Sequence, residues 1–164
     1  MIRRLHLREF LRTGDFFGFG STTTRDDVQA ILGPPDYTGL VTRKYRLPRI
    51  WVYGGIELTF GPREDSPLEL IHMDHPNLPP QGSESLTIDP WRIAEGMSFE
   101  ELHRVCRDEQ IQLSPAEWNG MKAWVTSGRV YLLFSEDTGD DETGLAAIWR
   151  SFRSNDFAES RTIA

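Results

Sequence analysis

Two histidines and a carboxylate stand together at His72-Met73-Asp74-His75, the most compact group of metal-ligating side chains in the chain. Imidazole and carboxylate together suit a first-row transition metal. Strand alternation puts His72 and Asp74 on one face, while His75 precedes Pro76 and leaves the strand. A third ligand would have to come from another element, and no second motif offers one. The default reading of His72, Asp74 and His75 is polar residues at a strand end, with no metal or other cofactor. Cys106 has His103 on the same helix, as a thiolate nucleophile would need. Yet Cys106 falls on the apolar stripe, where a free thiol packs as a small hydrophobe. Glu100 and Glu101 are explained by helix capping. Glu136, Asp137, Asp140, Asp141 and Glu142 do not have the spacing of a calcium loop, so they read as a solvated hairpin tip. Gly18-Phe19-Gly20 follows no strand that could make it a phosphate loop. No catalytic constellation emerges, and the chain reads as non-catalytic.

The elements that position these residues must come from a chain of 164 residues with net charge −7, 38% hydrophobic content, five Trp and nine Phe. That is ample for a packed interior. The acidic balance argues against a nucleic-acid partner, because binding a phosphate backbone depends on clustered cations. Arg3, Arg4, Arg8 and Arg12 read as the solvated face of an N-terminal helix carrying Leu7, Phe10 and Leu11. No apolar run approaches the roughly 18 residues of a membrane span. The first residues lack the apolar core of a signal peptide, and a lone Cys allows no intrachain disulfide. A cytoplasmic location is therefore expected.

The sequence reads as written twice at a constant offset of 74, with residues 24–32 over 98–106 and 53–60 over 127–134. Thr24 with Asp27, and Ser98 with Glu101, are capping boxes. Val28, Ile31 and Leu32, then Leu102, Val105 and Cys106, form apolar stripes at helical spacing. Asp15, and Asp89 with Pro90 behind it, read as caps of a preceding helix in each half. Strands are expected at 41–46, 49–53, 56–60 and 68–73, then at 111–114, 121–127, 130–135 and 145–150. Gly54-Gly55 suits a type I′ turn and Gly128-Arg129 a type II′ turn. The expected fold is α+β: two tandem helix-helix-β-meander repeats with antiparallel sheet and the helices on one face. The repeats are 1–74 and 86–152, joined by a linker at 75–85 and followed by a tail at 153–164.

The order of helix cap, apolar helix, Gly-Pro-Pro-Asp, aromatic hairpin and Leu-x-x-Ile runs over 24–36, 51–60 and 68–71, and more loosely over 98–148. It resembles the unit of beta-lactamase inhibitor proteins and of small outer-membrane lipoproteins of the SmpA/OmlA type. The resemblance implies tandem repeats and a concave sheet that grips a protein partner.

A two-residue turn at 128–129 would pair Ser127 with Val130, Val125 with Leu132 and Ala123 with Phe134. Ala123, Val125, Val130, Leu132 and Phe134 then face the helices. In the first half Trp51, Tyr53, Ile56, Leu58 and Phe60 face inward, with Ile50, Val52, Glu57 and Thr59 outside. The outer face of the second half would show Trp124, Tyr131, Leu133 and Trp149, with Asp140, Asp141 and Glu142 on the rim. Trp and Tyr are enriched among binding hot spots. The expected function is protein binding through this face, as an inhibitor or a toxin-immunity protein, with a basic partner steered by the acidic loop. The alternatives are a metal- or ligand-binding enzyme using His72, Asp74 and His75, and a homodimer joined through the same face.

Overall fold

Strand-forming, alternating segments dominate the described chain. The structure is a computed structural model that describes residues 2–44, 46–74, 78–94, 96–118, 121–135 and 144–153. In chain order these form β1 (Arg3–His6), α1 (Leu7–Thr13), α2 (Arg25–Leu32), β2 (Tyr37–Thr38), β3 (Ile50–Tyr53), β4 (Ile56–Phe60) and β5 (Leu68–Asp74). There follow β6 (Leu86–Asp89), α3 (Phe99–Asp108), β7 (Leu113–Trp118), β8 (Met121–Thr126), β9 (Tyr131–Ser135) and β10 (Gly144–Ser151). Eight strands make one antiparallel sheet in the order β2-β3-β4-β5-β10-β9-β8-β7, and β1 pairs with β6 in a separate parallel pair.

Local chemistry accounts for two of the helices. At α2 the Thr24 hydroxyl accepts from the Asp27 N–H, and the Asp27 carboxylate accepts from the Thr24 N–H at 2.8 Å. At α3 Ser98 and Glu101 do the same, with the return bond at 2.9 Å. Each box satisfies two N–H groups that a helix start leaves without partners. Gly33, at φ +79°, closes α2. The apolar stripes reach the core as expected: Val28, Leu32, Leu102, Val105 and Cys106 are buried, with Ile31 packed at the margin. They meet Tyr53, Ile56, Leu58, Phe60, Ile71, Met73, Leu132 and Ile148 in one cluster. Every described helix therefore packs on the same face of the sheet.

The expected pair of helix-helix-meander repeats is not what the chain builds. Among the described residues α3 is the only helix after residue 86, and the fold is mostly sheet. Asp89, expected to cap a helix, ends β6: its carboxylate accepts from the Trp91 N–H at 2.9 Å, and Trp91 turns at φ +54°. Asp15 likewise accepts from the Gly18 N–H at 2.8 Å, and Phe17 turns at φ +56°. An Asp that can cap a helix can equally close a short turn, and in both places the turn wins. The basic start is also not all helix. Arg3 and Arg4 lie in β1, whose pairing with β6 (Arg3 opposite Leu86) satisfies backbone that the sequence reading assigned elsewhere. The strand expected at 41–46 is absent from the described residues there, and β7 runs to Trp118 instead of ending near 114. The meanders β2–β5 and β7–β10 share one sheet through β5–β10, where Met73 pairs with Ile148.

Arg25, at the first turn of α2, is 8% exposed. Its guanidinium donates to the carbonyls of Arg63, Glu64, Pro48 and Gly61 and lies 4.7 Å from the Phe60 ring centroid. One buried cation thus ties the β4–β5 loop and the residues before β3 to the helix layer. Burial pushes its pKa down, but four carbonyl acceptors and the ring face offset the lost hydration.

Candidate functional site: the outer face of the sheet

Two hairpins decide which side chains reach the outer face. In the first, Tyr53 pairs with Ile56 and Trp51 with Leu58, as expected. Gly54 stands at φ +60°, the requirement of the leading position in a type II′ turn; the expectation was type I′. Trp51, Tyr53, Ile56, Leu58 and Phe60 are all buried on the helix side.

In the second hairpin the register differs by one from the expectation. Val125 pairs with Tyr131 and Trp124 with Leu132. The Thr126 N–H donates to the Val130 carbonyl at 2.9 Å, and the Arg129 N–H donates to the Thr126 carbonyl at 2.9 Å. The loop is therefore 127–129, three residues closed by Arg129 at φ +58°, the left-handed closing position of a three-residue hairpin. Because side chains alternate, one added residue sends every β8 side chain to the opposite face.

Trp124, expected outside, accordingly faces α3. Its ring stacks on Phe99 at 4.4 Å, and Phe99 meets Phe134 edge-on at 5.6 Å. Ala123 and Val125, expected inside, join the outer face. Tyr131, Leu133 and Trp149 lie on the outer face as expected. Trp118, Ala116, Leu70 and Ala147 complete the cluster and were missed. The signal for Trp118 was present, since Asn119-Gly120 between Trp118 and Met121 is the strongest two-residue hairpin dipeptide. Pro115 within the segment hid the strand, and β7 tolerates it because it is a sheet edge.

The outer cluster is aromatic at its centre. The Trp118 and Trp149 rings lie 5.3 Å apart, and Tyr131 stacks on Trp149 at 6.0 Å and 16°. No helix residue belongs to it. Trp149 is 3% exposed and Tyr131 6%, so these two rings form a floor; they do not project into solvent as the sequence suggested. Trp118, Val125, Leu133 and Leu70 are half-buried around them. The indole N–H of Trp149 is buried and has no acceptor among the described residues. Leaving such a donor unpaired costs about 1–3 kcal/mol.

One register line crosses the whole sheet: Tyr37, Val52, Glu57, His72, Trp149, Tyr131, Val125, Ser114. The face changes along it from polar, at Glu57 and His72, to aromatic, at Trp149 and Tyr131. His72 and Asp74 do share this face, His72 opposite Glu57 and Trp149, and Asp74 opposite Ala147. His75 lies outside the described residues, as do Asp140, Asp141 and Glu142. Among the described residues no three His, Cys, Asp or Glu side chains gather as a metal site. Cys106 is buried, and burial pushes its thiol up to about 11, so it stays protonated at neutral pH. His103 is exposed and stacks on Phe99 at 5.5 Å along α3.

No described helix is long and apolar enough to cross a membrane. No family model, curated protein or solved structure matches the chain.

Proposed function

We propose that the chain is a non-catalytic protein-binding module working through the outer face of β7–β10. One observation carries this reading: the Trp118–Tyr131–Trp149 cluster sits on the sheet face that carries no described helix. Two buried rings give a rigid floor, and half-buried Trp118, Val125, Leu133 and Leu70 supply apolar area that a partner desolvates on docking. Trp and Tyr lose little conformational freedom when they bind, which is why they recur at hot spots. Trp124 is not part of this surface, since it faces α3. The net charge of −7 favours approach by a partner of opposite sign. The compartment proposed is the cytoplasm, supported by a single, buried thiol that has no second cysteine to pair with.

The test is a pair of variants, Trp118→Ala and Leu133→Ser, compared with the unchanged chain by cross-linking and affinity capture. Loss of one stoichiometric partner from both variants, with thermal unfolding retained, is the expected result. Retention of every partner removes this face from consideration. Light scattering on the same samples separates a dimer from a foreign partner, because a dimer that dissociates on Trp118→Ala assigns the face to self-association.

A further inference from the structure

A second surface has the opposite charge to the rest of the molecule. From Tyr37 to Ile56 there is no Asp or Glu, whereas Arg43, Lys44, Arg46 and Arg49 all fall within it. The stretch carries +4 in a chain of net −7, which leaves −11 for the remaining residues. It begins with β2, the sheet edge opposite the one that Pro115 blunts in β7. Four of the six large apolar residues exposed among those described gather here: Leu40 at 84%, Tyr37 at 57%, Val41 at 56% and Ile50 at 37%. The Gly39 N–H donates to the Ile50 carbonyl at 2.8 Å, which holds the residues before Leu40 against β3. Asp36 accepts from the Gly54 N–H at 2.7 Å, and Arg49 is already paired with Glu69 at 3.0 Å, which also meets Arg153, so Arg43 and Arg46 are the cations that a docking segment would meet.

We infer that this edge docks an acidic polypeptide segment bearing apolar side chains, which packs on Tyr37, Leu40, Val41 and Ile50 and sets its carboxylates against Arg43 and Arg46. Cations on a sheet edge commonly guard it against self-pairing. A guard does not need an aliphatic group standing almost wholly in water beside it, as Leu40 does at 84% exposed, with Val41 and Ile50 partly exposed next to it. The surface favours polypeptide over nucleic acid for two reasons. Three of its four apolar side chains, Leu40, Val41 and Ile50, cannot stack on bases, which leaves Tyr37 as the one exposed ring, and the −11 carried elsewhere repels a polyanion that extends past the patch. It is independent of the reading given above, since it shares no residue with the Trp118–Tyr131–Trp149 cluster.

The experiment is an NMR titration of the full chain with a short peptide alternating glutamate and valine. Two probes run beside it: the same peptide with lysine for glutamate, and a single-stranded oligonucleotide of equal charge. The acidic peptide is expected to shift resonances of residues 37–50 alone and to weaken as salt rises. Replacing Arg43 and Arg46 by Glu is expected to weaken it about tenfold, the scale of two exposed charge contacts. Leu40→Ser with Val41→Ser weakens it at unchanged charge, which separates docking from plain ion pairing. Unshifted spectra elsewhere confirm that these exposed variants remain folded. The inference is overturned if the acidic peptide does not bind, if the lysine peptide binds as well, or if the oligonucleotide binds more tightly. It is also overturned if the chain alone forms a dimer that the Arg43 and Arg46 changes disperse.

Discussion

The two glycine-bearing hairpins of this sheet, β3–β4 and β8–β9, look alike in sequence and differ by one loop residue in space. The first closes over Gly54-Gly55 in two residues, and its inward set is the one alternation predicts. The second closes over 127–129 in three, which exchanges the faces of Trp124 and Val125. The reason lies outside the hairpin. The Gly128 carbonyl accepts from Arg150 at 2.7 Å, and the Ser127 hydroxyl donates to the Arg12 carbonyl at 3.2 Å. The end of α1 and the strand β10 hold the second loop, whereas the first turn rests on Asp36 and the Gln81 carbonyl, contacts that keep its two-residue closure. A constant offset that aligns Gly54 with Gly128 thus aligns two loops of different length. Turn residues constrain a hairpin, and what packs on the turn chooses among the loops they allow.

The largest expected effects come from the two glycines themselves. A Cβ on Gly54 would lie 2.2 Å from the Gln81 carbonyl oxygen at a φ of +60°, and one on Gly128 would lie 2.4 Å from the Gly14 nitrogen. Both neighbours are backbone and cannot move aside. Gly54→Ala and Gly128→Ala should each destabilise by roughly 3 kcal/mol or more, read as a fall in the urea midpoint. If Gly128→Ala proved neutral, the docking of the second turn on α1 would be wrong.

The face exchange is sharpened by truncating neighbours on β8. Trp124→Ala removes a ring stacked in the helix-side core and should cost about 3 kcal/mol, while Val125→Ala on the outer face should cost about 1 kcal/mol. Near-equal costs would contradict the three-residue register. A smaller effect of opposite sign is expected at the turn. Arg129 is a non-glycine residue at φ +58°, so Arg129→Gly should stabilise by up to about 1 kcal/mol, because left-handed strain of about 1–2 kcal/mol exceeds the roughly 0.5–1 kcal/mol of added unfolded-chain freedom. Differential scanning calorimetry reads this directly, and destabilisation would place Arg129 outside that conformation.

The smallest effect tests what local chemistry fixed. The carboxyls of Asp27 and Glu101 are held below the ordinary range, chiefly by the cap residues' backbone N–H groups and then by their hydroxyls. A depressed folded pKa means stability that is present above the unfolded value of about 4 and lost as pH falls through the folded value. Denaturation midpoints should therefore decline on acidification below about pH 4, and Asp27→Asn with Glu101→Gln should flatten that decline. An unchanged acid limb in the double variant would show that the caps do not titrate as described.

The capping boxes at Thr24 and Ser98, the apolar stripes of α2 and α3, and the first hairpin were legible because each depends on residues within a few positions of one another. So were three of the nine described residues of the outer cluster: Tyr131, Leu133 and Trp149 lie on the outer face, as alternation from Leu132 and Ile148 requires. Trp118 was legible in principle through Asn119-Gly120. The placement of Trp124 was not, because periodicity of two carries no information about which of two adjacent registers a distant helix will fix.

The amino-acid order alone determined where α2 and α3 begin, that β3 and β4 alternate and that the chain carries an excess of negative charge. Only the tertiary structure decided that Asp89 closes a turn, that β1 lies beside β6, that β5 meets β10 to make one sheet, and which way the β8 side chains face. The first group is governed by interactions within a turn or two of the backbone. The second depends mostly on contacts between residues far apart in sequence, such as Arg3 with Leu86 and Ser127 with Arg12, whose energies appear only once the chain has closed on itself.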